Sequence, residues 1–127
     1  MSATPTPAWQ ARFLAPRHAL ADCVIMQWQG MGRADTPGAD ARCAIYLAVD
    51  GQASAARIAT AAFAVFGPPV AIASADWLCE QLTGRTIAQA RCLDGRDLEQ
   101  ALGLAPAERY AALLVLDALA DALRALE

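Results

Sequence analysis

The chain has 127 residues, 57% of them hydrophobic, and a formal net charge of −3. It is long enough to bury a core, and its ten basic residues are all arginines set singly, so no basic stripe exists to hold a phosphate backbone and nucleic acid is not an expected partner. Residues 1–10 lack the basic start and apolar centre of a secretory signal, and no apolar run approaches the roughly 20 residues of a membrane helix, so no membrane association and a cytoplasmic location are expected.

In chain order, Met1 to Pro7 reads as a loose tail ahead of a single domain over residues 8–127. Ala8 to Leu14 predicts a short helix stopped by Pro16, with Trp9 and Phe13 at i, i+4 to anchor it. Cys23 to Met31 alternates Val24, Met26 and Trp28 against Ile25, Gln27 and Gln29, the period of a half-buried strand. Gly32 to Arg42, with Pro37, Gly38 and two aspartates, reads as a loop. Cys43 to Val49 predicts a second strand closed by the turn signal Asp50-Gly51, and Arg57 to Phe66 a third.

Phe66-Gly67-Pro68-Pro69 is the stretch around which the chain is organised, because a strand hands over to a helix there. Gly67 permits a tight turn, and Pro69 suits the first helical position, where its missing N–H would have been unpaired anyway. The helix predicted over Pro69 to Leu82 carries Ala71, Ala75, Leu78 and Leu82 on one rank, with Gly84 placed for a left-handed stop. Thr86 and Asp97 are expected to cap short helices over Ile87 to Cys92 and Leu98 to Leu102. Ala107 to Ala125 predicts an amphipathic helix striped by Leu116, Leu119, Leu123 and Leu126. Three strands followed by helices, without βαβ alternation, define a two-layer α+β domain: a three-stranded antiparallel sheet with helices on one face.

Cys23, Cys43, Cys79 and Cys92 form neither a C-x-x-C pair nor a zinc-ribbon spacing and are expected to be free thiols. Burial as small hydrophobes is the ordinary fate of such residues. Cys79 is the strongest candidate for a working thiol, since it shares a helix rank with Asp76 and Thr83 and would be partly exposed there. Asp76 and Glu80 at i, i+4 read as a solvated acid pair. His18, the lone histidine, reads as a surface or capping group, and Arg17 as a brace for its loop. With one histidine and no phosphate loop, no catalytic triad or nucleotide site is available, and enzymatic activity is not expected.

The order of elements resembles the iron-sulfur cluster scaffold family of IscU and the N-terminal domain of NifU, over about Trp9 to Leu123. The residues carrying the likeness are Ala15-Pro16-Arg17-His18 for the family's Asn-Pro-Arg-Asn, and Phe66 to Ala75 for its aromatic-Gly-Cys-Gly-Ser-Ala-Ile-Ala-Ser-Ser segment. Glu80 and Gly84-Arg85-Thr86 stand for its Glu and Gly-Lys-Thr, and Leu104 to Glu108 for its Leu-Pro-Pro-Val-Lys. The resemblance implies a SufE/NifU-like fold and a role in iron-sulfur cluster assembly. It also implies a cluster held on three cysteines, but those columns fall within Pro37 to Ala39, on Pro68 and on Ala111, leaving Asp40 as a weak remaining ligand. Iron-sulfur irons need about four thiolate or imidazole donors, so no cofactor is expected, and the chain reads as a degenerate scaffold acting by protein contact. Arg17, Gly67, Pro68, Pro69, Val70 and Tyr110 are its expected contact residues. A cysteine desulfurase or another scaffold subunit is the implied partner, and a homo-oligomer is compatible. The alternative is a SufE-like sulfur-transfer accessory using Cys79 or Cys43.

Overall fold

A computed structural model describes residues 8–20, 27–36, 41–51 and 55–126. Its elements run α1 (Ala8–Leu14), β1 (Gly30–Thr36), β2 (Ala41–Asp50), β3 (Arg57–Phe66), α2 (Pro69–Leu82), α3 (Ile87–Ala90), α4 (Gly95–Leu102), a 3-10 turn (Pro106–Glu108) and α5 (Tyr110–Arg124). The strands form one antiparallel sheet in the order β1-β2-β3, and α2 and α5 pack together against one face of it. The α+β meander expected from the sequence is therefore the fold, with β3 and α2 at the predicted bounds.

Alternation along β2 decides which face is dry. Ala41, Cys43, Ile45 and Leu47 are buried beneath the helices while Arg42, Ala44 and Tyr46 point to the opposite face. Against them, α2 brings Ala71, Ala75, Leu78 and Leu82, the predicted rank, and α5 brings Ala111, Leu114, Val115, Ala118, Ala122 and Leu123. On α5 the buried face is broader and more alanine-rich than the expected leucine stripe, and Leu116 and Leu126 are only partly covered.

The first strand lies elsewhere than predicted. It is Gly30–Thr36, inside the stretch read as a loop, whereas residues 21–26 of the expected strand lie outside the described residues and Gln27 and Trp28 are not in a strand. Two glycines and two charged residues disguise it. At Gly32 the glycine is needed because α5 crosses at backbone contact: an added methyl would fall against the Ala118 carbonyl and Ala122 N–H and within 2.7 Å of Ala122 Cα. Gly30 faces Leu126 and Ala122 while Gly32 faces Ala118 and Ala122, so α5 runs antiparallel to β1 and carries its start, Tyr110 and Ala111, toward the Thr36 end.

Caps differ in one place. Thr86 caps α3 in a reciprocal box with Gln89, as expected, but α4 starts earlier than predicted: Asp94, not Asp97, accepts from Arg96 N–H at 3.1 Å. Gly84 and Gly103 take left-handed φ values of 89° and 63° after α2 and α4. The outer margin of β3 is occupied at two points. Ile58 N–H donates to Arg85 O and Gly84 N–H to Ile58 O, while Phe63 N–H donates to His18 O, with Ala19 bridging in parallel. On the outer margin of β1, Arg33 N–H donates to the Asp121 carboxylate at 2.9 Å.

Candidate functional site

The segment leaving β3 passes through exposed Phe66 and Gly67 to Pro68, which has an extended conformation (φ −63°, ψ 157°) and caps α2 with Pro69 at its first position. Two of the N–H groups that a helix start would offer an anion are thus missing, and the Ala71 N–H is turned back onto Pro68 O at 3.0 Å. Arg42 pairs with Phe66 across the sheet, and Thr36 with Ala41, at this same end. Together with the direction of α5, this gathers Pro68, Tyr110 and Ala111 at one end of the molecule, beside the chain ends that flank residues 37–40. Pro37, Ala39 and Asp40 lie outside the described residues.

Among the described residues donor atoms are scarce there. Pro68 offers ring carbons, Ala111 is a fully buried methyl, and Tyr110 keeps a neutral phenol because burial, reinforced by the Glu108 carboxylate, raises its pKa. Among the described residues no three His, Cys, Asp or Glu side chains stand close enough to share a metal ion. Neither Pro68, Ala111 nor the neutral Tyr110 carries the thiolate or imidazole donor that iron-sulfur irons take. Of the expected contact residues, Gly67, Pro69 and the Arg17 side chain are exposed and Pro68 and Tyr110 half-exposed, but Val70 turns into the core at 5% exposure and presents nothing outward.

The described thiols do not come together at this end. Cys43 is buried and its pKa is raised to about 12, because leaving water penalises the thiolate. Cys79 is not partly exposed as its rank suggests: its place on α2 turns it fully inward among the core residues. Cys92, in the turn after α3, is exposed. Cys23 lies outside the described residues.

The expected solvated acid pair is also corrected, and the outcome is a polar node. Asp76 is 1% exposed. Its Oδ2 accepts from Arg12 Nη1 at 2.9 Å, and its Oδ1 accepts the backbone N–H groups of Arg17 and His18, each at 2.8 Å. Arg12 Nη2 reaches the more exposed Glu80 at 2.9 Å. One carboxylate therefore fastens α1 and the Pro16–His18 bend to α2, satisfying three donors that would otherwise be stranded. Sequence spacing alone could not show this, because α1 places no residue wholly in the core and its partner lies 64 positions away. At Arg17 it is the backbone N–H that takes part in this fastening, while the side chain is exposed.

A second feature, which no sequence pattern signals, is a groove of about 650 Å³ on the sheet face away from the helices, at the Phe66 end. Its floor is Ala44 and Ala64, and its walls include Arg33, Asp35, Arg42 and Phe66.

A three-stranded antiparallel meander with two long helices on one face, and a β3–α2 turn closing one end, is the architecture of the cluster-scaffold class. The chain belongs to the NifU-like N terminal domain family, whose sequence model matches residues 10–127. Among solved structures it is similar to a candidate iron-sulfur cluster assembly scaffold protein for the SUF system from Fervidobacterium islandicum AW-1, at 18% identity and a TM-score of 0.62, covering 78% of this chain and 83% of that one. It is also similar to the N-terminal part of a nitrogen-fixing NifU-like protein from Brucella abortus, at 16% identity and a TM-score of 0.57, covering 80% and 81% of the two chains. A hypothetical protein matches at 16% identity and a TM-score of 0.62 over 92% of this chain and 94% of its own. No curated protein matches the sequence. At such identities the likeness concerns the fold.

Proposed function

We propose that this chain serves iron-sulfur cluster assembly as a non-enzymatic relative of the scaffolds, working through protein contact and not by holding a cluster on its own side chains. The observation carrying this reading is the β3–α2 turn, where the family's thiolate would stand and Pro68-Pro69 stands instead. Proline there removes the donor atom and the helix N–H groups that would have lowered its pKa. What remains is a stiff, exposed apolar corner of Phe66, Gly67 and Pro69, suited to packing against a desulfurase or a second scaffold subunit. This end of the molecule, with Tyr110, is where contact is proposed, in a cytoplasmic setting, and Arg17, held beside Asp76 about two helical turns along α2, is a further proposed contact residue.

Anaerobic reconstitution with ferrous iron and sulfide tests the central point. The expected result is no stable visible chromophore after desalting, with iron and sulfide in the flow-through. A chromophore retained at one cluster per chain would overturn the proposal.

A further inference from the structure

The outer face of the sheet carries a charge arrangement that the fold itself does not use. Cross-strand register places Asp35, Arg42 and Phe66 in one row, and Arg33, Ala44 and Ala64 in the next, all pointing away from the helices. Arg33 and Arg42 are diagonal neighbours on this face, close enough for two long like-charged side chains to feel one another. Among the described residues no carboxylate lies within ion-pairing distance of either guanidinium, although Asp35 is opposite Arg42 in register. Among the described residues, two guanidiniums against one carboxylate make this face locally cationic in a chain of net charge −3. Between them the two alanines leave a depression, and Phe66 stands at its rim with 72% of its surface in water.

From this arrangement we infer that the groove is a docking surface for an acidic segment of a partner protein, carboxylates meeting Arg33 and Arg42 and an apolar side chain lying on the alanine floor against Phe66. Charge complementarity selects this occupant. Arginine forks bind carboxylates in pairs and lose little when water leaves, and an open groove suits a protein segment better than a small molecule, which wants enclosure. A basic segment would meet two like charges. A wholly apolar one would cover unpaired guanidiniums at a large desolvation cost.

The test uses a ten-residue peptide alternating Glu with Leu, its counterpart with Lys for Glu, and inorganic phosphate, titrated into isotopically labelled full-length chain with amide shifts as readout. The acidic peptide is expected to saturate, moving amides of Met31 to Asp35, Arg42 to Tyr46 and Ala64 to Phe66. Binding should weaken about tenfold in the R33E/R42E double variant, and strongly on raising ionic strength from about 0.05 to about 0.5 M. Both arginine side chains are exposed and the Arg33 bond to Asp121 is a backbone one, so the double variant should melt near the wild-type temperature. F66A, which leaves the charges intact, should weaken the peptide without abolishing its salt dependence. Each of four results would overturn the inference: no saturable binding, equal binding by the Lys peptide, phosphate alone giving the same shifts at equal concentration, or concentration-dependent self-association that F66A removes.

Discussion

Removing the Asp76 carboxylate would leave the Arg12 guanidinium and the N–H groups of residues 17 and 18 without their acceptor. Asp76→Ala should therefore cost about 3 kcal/mol in urea unfolding, whereas Glu80→Ala, which loses only the exposed arm of the same network, should cost about 0.5 kcal/mol. Thiol reactivity separates the cysteines in the same way. At neutral pH iodoacetamide should modify Cys92 rapidly, and Cys43 and Cys79 only after denaturation, as followed by mass of the modified peptides. Asp121 gives a pH signature. Hydrogen bonds from Arg33 N–H and then Arg124 lower its folded pKa, so the unfolded chain takes up its proton first as pH falls. The resulting stabilisation is complete above the ordinary aspartate range and is lost on acidification through the lower, folded value. Asp121→Asn should accordingly flatten the acid limb of the stability profile while changing its slope little near neutrality.

Among the elements, β3 and α2 were legible because an apolar run ending at Gly67-Pro68-Pro69 leaves few alternatives, and Gly84 and Thr86 mark where α2 stops and α3 starts. β1 was not. Its residues, Gly-Met-Gly-Arg-Ala-Asp-Thr, carry the wrong composition for a strand because α5 lies on them too closely for side chains at Gly30 and Gly32. That constraint is tertiary, and no local pattern encodes it. Gly32→Ala should push α5 off the sheet and cost about 3 kcal/mol, seen as a lowered melting temperature. Gly30→Ala should cost less, since its methyl would meet the movable end of Leu126 at 2.9 Å and backbone only at the Ala122 carbonyl, at 3.0 Å. The candidate site divides similarly: the Pro68-Pro69 turn into α2 could be read from the sequence, but the groove could not, because it depends on the register that sets Arg42 beside Phe66 and Arg33 beside Ala44.

At the scale of the whole molecule, one apolar cluster joins β2, β3, α2 and α5, while α1 adds no fully buried residue and is held by polar contacts and by Trp9, which packs part-buried against that cluster. Amide exchange should mirror that division, slowest in β2, α2 and the middle of α5 and fastest in α1, with Asp76→Ala accelerating α1 and the His18 region selectively. No described helix is long and apolar enough to cross a membrane. The bonds from Phe63 to His18, from Ile58 to Arg85 and from Arg33 to Asp121 carry a consequence for solubility. Each occupies a peptide group that would otherwise invite a foreign strand, so the short sheet is guarded against fibrillar growth at both borders. Because the Asp121 guard needs its charge, acid conditions that spare the core would unlatch the β1 border first, and ordered aggregates grown there should begin from that side.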